Sequence, residues 1–138
     1  MNRPLRVLIA DDDRDLAEAI AGYVRECGHD PIATISAGGL EVIRRYGQYE
    51  PDVVLLDIMM PRFNGLTVCH ALLSRDPDAN IVFISGQVDS AHPFVISAGA
   101  VACLGKPIDR FKLEEILGSI QPRDDSRRRG MVQEPALH

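Results

Sequence analysis

No stretch of this chain approaches the ~20 consecutive apolar residues that span a bilayer, so no membrane partner is expected. Cysteine is sparse. Cys27, Cys69 and Cys103 are odd in number and widely separated, which excludes a disulfide framework and a metal knuckle and leaves buried thiols as the expectation. The start of the chain, Met1-Asn2-Arg3-Pro4, runs directly into an apolar segment without a signal-peptide pattern, so a cytoplasmic location is expected. Excess positive charge is lacking as well. The net charge is −5, and direct nucleic-acid binding is not expected of an acidic domain. Residues 1–121 carry a balance of −6 and residues 122–138 a balance of +1. The acidity therefore resides in the part with folding signals. There are no internal repeats.

What is present is a single domain's worth of ordinary globular sequence. With 138 residues, 46% of them hydrophobic, the chain can bury a real core. Its central stretch is Val53-Val54-Leu55-Leu56-Asp57-Ile58-Met59-Met60-Pro61-Arg62-Phe63-Asn64-Gly65. Four apolar residues in a row read as a strand buried on both faces, the kind found in parallel sheets. The strand ends on a carboxylate, and Pro61, Asn64 and Gly65 mark a loop after it. Arg6-Val7-Leu8-Ile9-Ala10 is a second such run, and it too ends on acids, Asp11, Asp12 and Asp13.

Helical spacing follows each strand. Leu16, Ile20, Val24 and Cys27 form one face, with Asp12 or Asp13 as cap and Gly28 as stop. Pro31–Ile35 reads as a short strand. Leu40, Ile43 and the Tyr46 region predict a second helix ending near Gly47. Leu66, Cys69 and Leu73 predict a third, closed by Asp76-Pro77. Ile81–Ile84 is a strand ending on Ser85-Gly86, and a weak helix is expected from Phe94 to Ala98. Val101–Leu104 is the fifth strand, followed by Gly105-Lys106-Pro107 and a last helix carrying Leu113, Ile116, Leu117 and Ile120. This alternation predicts an α/β fold: a doubly wound, five-stranded parallel sheet of flavodoxin-like order 2-1-3-4-5 with five helices. The domain is expected over residues 1–121. Residues 122–138, with Arg127-Arg128-Arg129, read as a mobile C-terminal tail and are too few for a DNA-binding output domain.

The switch point of that topology lies between the two strands that end in acids. Asp11, Asp12, Asp57, Ser85 and Lys106 then share one rim. Carboxylates crowded together repel one another and raise at least one pKa. An oxygen-seeking divalent ion removes the conflict, and Mg²⁺ suits a site with few protein carboxylates and a phosphate oxygen. Zinc is disfavoured because neither His nor Cys belongs to the group. Lys106 adds a positive point charge and Ser85 a hydroxyl donor. Gly86 leaves room for a tetrahedral group to approach its backbone N–H. The set describes phosphoryl transfer onto Asp57 as nucleophile. Asp13 and Asp15 read as first-turn acids, and His29, His70 and His92 as surface histidines.

Over residues 4–121 the chain resembles the receiver domain of two-component response regulators, in the chemotaxis-regulator-like superfamily. The resemblance rests on Asp11-Asp12, Leu56-Asp57-Ile58-Met59-Met60-Pro61 with Gly65, Ser85-Gly86, Gly99-Ala100 and Lys106-Pro107, in that order and spacing. It implies that Asp57 accepts phosphate from a histidine kinase or histidine phosphotransfer protein. It implies that Asp12 and Asp57 ligate Mg²⁺ directly, Asp11 through water and Met59 through its carbonyl. Lys106 and Ser85 would hold the phosphoryl oxygens, while Met59 and Gln87 would tune hydrolysis. The implied protein is a phosphorylation switch with autodephosphorylation and not a metabolic enzyme. It would act on a downstream protein target or an output domain missing from this chain.

Two departures from the family pattern stand out. Cys103 occupies the place of the usual Tyr, Phe or His three residues before the lysine. The span from Ser85 to Gly99 is one residue short and carries Pro93. Rival readings are a receiver-like interaction module with weak or no phosphorylation-dependent switching, a haloacid-dehalogenase-type phosphatase and an FMN carrier. The phosphatase needs a second acid where Met59 stands. The FMN carrier is opposed by Asp11-Asp12-Asp13, which would repel the phosphate.

Overall fold

A computed structural model describes residues 3–60, 64–86, 95 and 97–123. The described elements are β1 (Arg6–Ala10), α1 (Arg14–Glu26), β2 (Asp30–Ile35), α2 (Gly39–Tyr49), β3 (Val53–Asp57), α3 (Gly65–Arg75), β4 (Ile81–Ser85), β5 (Ala102–Gly105) and a last helix, α4 (Arg110–Gly118). The five strands form one parallel sheet in the order β2-β1-β3-β4-β5, as the alternating pattern predicts. Val95, Ser97 and Ala98 are helical. The rest of the expected fourth of five helices lies outside the described residues, as do Pro61, Arg62, Phe63, Gln87, Asp89, His92, Pro93, Phe94 and the tail from residue 124 onward.

The apolar strand runs serve both faces of the sheet because side chains alternate along a strand. Leu8, Val54, Leu56, Ile81 and Phe83 face α2 and α3, where they pack with Val42, Tyr46, Val68, Cys69 and Leu72. Val7, Ile9, Val53, Leu55, Val82 and Ile84 face α1 and α4 and meet Ala17, Ile20, Val24, Leu113 and Leu117. Every residue of β3 and β4 is buried. All three cysteines are free, with Cys69 buried and Cys27 and Cys103 half-buried. Among the described residues no helix is long and apolar enough to cross a membrane.

The helix starts are written in side-chain caps. Asp13, rather than Asp12, caps α1 by accepting from the Leu16 N–H; Asn64 caps α3 through Thr67; Asp109 caps α4 through Phe111 and Lys112. These caps satisfy N–H groups that have no partner inside the helix. With Asp13 occupied in this way, Asp12 stays available at the rim.

Three local expectations need correction. Leu40, placed by spacing on the core face of α2, is 63% exposed, and Val42 is buried in its stead. The helix starts at Gly39 after Gly38, which offers no side-chain cap and has φ 127°, so nothing in the sequence sets its phase. Nor does the helix stop near Gly47. It continues to Tyr49 and ends on Glu50 in the left-handed region at φ 46°. There the Arg6 guanidinium donates to the carbonyls of Tyr49 and Glu50 at 2.6 and 3.2 Å, satisfying the open end of the helix from a different element. Finally, β5 is shifted by one residue. Val101 lies outside it, half exposed, and Gly105 pairs with Ser85.

Candidate functional site

The carboxyl ends of β1, β3, β4 and β5 carry the residues singled out in the sequence, and hydrogen bonds just past the strand ends hold them in register. Asp11 N–H donates to the Ile35 carbonyl at 3.0 Å, Ile58 N–H to Ile84 at 3.1 Å and Lys106 N–H to Ser85 at 2.8 Å. Asp11 and Asp57 are thus placed by backbone hydrogen bonds that continue the strand ladders. Ligand oxygens of Asp11, Asp12 and Asp57 all lie within 4.8 Å of one another. Asp11 and Asp57 are buried, and Asp12 is exposed.

Each buried carboxylate is oriented by a backbone donor two residues on. Asp57 Oδ1 accepts from Met59 N–H at 3.0 Å, and Asp11 Oδ1 from Asp13 N–H at 2.9 Å. The second oxygens turn toward Lys106. Its Nζ lies 3.4 Å from Asp57 Oδ2 and 3.2 Å from Asp11 Oδ2. Asp11 Oδ2 is buried and receives no aligned hydrogen bond, so one ammonium serves two carboxylates.

Burial pushes the Asp57 carboxyl up to about 6. The Met59 N–H and the Lys106 ammonium oppose the shift, and the neighbouring Asp11 and Asp12 add to it. Like-charge crowding at the switch point thus adds to a shift that burial dominates. For Lys106 burial alone would lower the pKa, but the charges of Asp57 and Asp11 outweigh it and raise it. Lys106 therefore stays a cation at neutral pH, while Asp57 sits about one unit below neutrality with the larger part of its population ionised.

The remaining predicted site residues lie on the same edge. Ser85 ends β4, beside the strand that carries Asp57, and is buried. Gly86 follows it, exposed, with open space where a Cβ would point. Met59 is 74% exposed at the mouth of the site. The Lys106–Pro107 peptide is cis. Cys103 packs against the core layer containing Phe83, and burial holds its thiol pKa above the usual value. His29 is engaged structurally, accepting from Leu5 N–H through Nδ1 at 2.9 Å, and His70 is exposed.

Gly65 does more than mark a loop. A Cβ there would stand 2.6 Å from the Asp57 carbonyl oxygen and 2.7 Å from Ile58 Cα, and Gly65 N–H donates to the Ile58 carbonyl at 2.6 Å. The first turn of α3 is pressed against the backbone that carries Asp57. The spacing of eight residues between Asp57 and Gly65 is the only sequence trace of this contact.

The donor set fits a hard divalent cation. It offers carboxylate oxygens only, it contains a buried oxygen without an aligned donor, and it holds more negative charge than one lysine neutralises.

Comparison with known proteins agrees with this geometry. The family model described as response regulator receiver domain matches residues 7–118. Response regulator MprA of Mycobacterium sp. (strain KMS) is 35% identical over 120 residues, covering 86% of this chain and 50% of the relative. MprA of Mycobacterium avium (strain 104) is 34% identical over 137 residues, covering 88% and 55%. The chain thus spans about half the length of the curated relatives it matches. A chain in the crystal structure of the CheX-CheY-BeF3-Mg+2 complex from Borrelia burgdorferi superposes with TM-score 0.78 at 28% identity, covering 84% of this chain and 88% of that one. The receiver domain of NtrX from Brucella abortus gives TM-score 0.73 at 25% identity, covering 81% and 94%. The chain belongs to the response regulator receiver domain family of two-component signalling.

Proposed function

We propose that Asp57 is the phosphoacceptor of a magnesium-dependent switch, charged by a phosphohistidine on a histidine kinase or histidine phosphotransfer protein. The observation that carries this reading is the Asp57 carboxylate itself: buried, held by Met59 N–H on one oxygen and by Lys106 on the other, with its pKa raised to about 6. Such a group is ionised at neutral pH yet poorly solvated, which favours attack. One of its oxygens forms the new O–P bond as the N–P bond of the donor breaks, and the imidazole leaves with the electron pair. Met59 N–H and Lys106 limit the carboxylate's rotation, so the attacking oxygen is positioned before the donor arrives. Lys106 balances charge on the transferred group, and Ser85 and Gly86 N–H are the donors assigned to its oxygens.

Asp11, Asp12, Asp57 and the Met59 carbonyl are the residues assigned to Mg²⁺. When bound, the ion neutralises charge on the incoming phosphoryl oxygens and relieves repulsion among the acids. The Borrelia burgdorferi complex is named for BeF3 and Mg+2, which supports extending the same ligand chemistry to this chain. In this reading the chain catalyses its own phosphorylation and dephosphorylation at Asp57 and acts as a switch, not a metabolic enzyme. The contacts made by the phosphoryl group bias a two-state surface read by a downstream protein or an output domain.

The test is incubation with acetyl phosphate or phosphoramidate and Mg²⁺, followed by intact mass. A gain of ~80 Da, absent in Asp57→Ala and absent with EDTA, is expected. No gain in the wild type would sink the assignment. One observation favours a second reading, a receiver-like interaction module with weak or no phosphorylation-dependent switching: Cys103 stands where the family's rotating aromatic is usual. That reading predicts phosphorylation with unchanged amide spectra outside the site.

A further inference from the structure

At the opposite end of the sheet, β3 begins beside another buried carboxylate, and the chain returns to it after its last helix. Asp52 is wholly buried. It accepts from both Arg3 nitrogens at 2.7 and 2.8 Å, from Arg6 N–H at 2.7 Å and from Arg123 N–H at 2.7 Å. Arg123 lies two residues beyond the domain end expected from the sequence. Its side chain is only 6% exposed and is paired with the buried Asp76 carboxylate. Tyr46 OH accepts from the same guanidinium at 2.8 Å and donates to Asp76 at 2.7 Å. The guanidinium also stands 5.8 Å from the centre of the Tyr46 ring. Arg3 closes the circuit by donating to the Arg123 carbonyl at 2.9 Å.

An arginine this deeply desolvated is held by charge-assisted bonds and ring contact together. Withdrawing it would leave a buried acid short of a counter-charge, which is costly. Most exposed chain ends have no such hold. We propose that Arg123 is a clasp: it seats the chain beyond α4 on the rim opposite Asp57. Both ends of the domain, through Arg3 and Arg123, are tied to Asp52 at the start of the strand that carries Asp57 at its finish.

Trypsin tests this directly, because it must take the arginine side chain into its own pocket. In the native protein the Arg123–Asp124 bond is expected to be cleaved at least about a hundredfold more slowly than in a synthetic peptide of residues 119–130. Cleavage after Arg123 at the peptide's rate would overturn the proposal. Asp76→Asn keeps the carbonyl oxygen and removes the charge, so it should expose Arg123 at least about tenfold while the bonds after Arg44 and Arg45 stay protected. Undiminished protection of Arg123 in that variant would overturn the clasp. So would a rise at Arg44 and Arg45 in step with it, which would make Asp76 a general stabiliser. The outcome is independent of phosphorylation.

Discussion

A Cβ on Gly65 would overlap the carbonyl oxygen of Asp57, 2.6 Å away. The atoms that would have to give are backbone, not the movable end of a side chain. Gly65→Ala therefore forces either α3 or the chain segment after Asp57 to shift. The expected cost is about 1–3 kcal/mol of stability, as for other overpacked sites. Acetyl phosphate labelling should fall disproportionately, because the displaced segment includes the Met59 N–H that orients the carboxylate. A variant with normal melting and normal labelling would remove Gly65 from the account of the site.

The raised pKa of Asp57 fixes the sign of its pH dependence. A carboxyl titrating near 3.8 when unfolded and about 6 when folded holds its proton more tightly in the native state. The folded state is not penalised below about pH 4. The penalty grows as pH rises from about 4 to 6 and is complete above that. The shift corresponds to at most about 3 kcal/mol, and screening at the rim reduces this to about 1–2. Asp57→Asn should accordingly melt higher than wild type at pH 7.5, with the gap closing toward pH 4. Saturating Mg²⁺ should also narrow it by stabilising only the wild type. Labelling of wild type should decline as pH falls through about 6, since the protonated carboxyl is no nucleophile.

Lys106 stands between two acids, 3.2 Å from Asp11 and 3.4 Å from Asp57. Lys106→Ala leaves two buried carboxylates with less counter-charge. It should lower stability by about 1–3 kcal/mol, less than a fully enclosed pair because the lysine is partly exposed. The Asp57 pKa should rise further, moving the pH for half-maximal labelling upward. Phosphate should still be accepted, since the nucleophile and the acids assigned to Mg²⁺ remain. The spectral change on phosphorylation should shrink if, as proposed, Lys106 holds the phosphoryl group from the end of β5. Equal labelling profiles and equal spectral changes in both proteins would contradict the role given to Lys106.

The placement of the candidate site was legible in the sequence because it follows from where the strands end. Apolar runs of strand length end on Asp11 and Asp57, a lysine follows the fifth strand, and parallel topology brings strand ends together. Features set by distant partners left no such trace. The end of α2 depends on Arg6, reaching over from β1 to two carbonyls, so Gly47 misled as a stop signal. The phase of α2 depends on how Val42 meets the sheet, since Gly38 and Gly39 impose nothing. The placement of Arg123 depends on its meeting Asp52 and Asp76, 71 and 47 residues away. Those pairings exist only once the sheet has formed.

Cys103 offers the last test, because the structure gives its replacement somewhere to go. The residue lies on β5 at the edge of a groove of about 430 Å³, lined also by Lys106, Pro107, Lys112 and Ile116. Its neighbours include the end of the strand that delivers Lys106 to Asp57. Cys103 both packs on the core layer and lines the groove, and the large ring of a tyrosine there would make a change of position visible. Cys103→Tyr should cost about 1–3 kcal/mol of stability, as for other small-to-large changes beside a core. Addition of BeF3 and Mg²⁺ should then move the ring, and tyrosine fluorescence and the amide spectrum of β5 and α4 should change more than in the parent protein. Overlapping spectral changes in parent and variant would mean that the switch in this chain runs through the backbone, without help from residue 103.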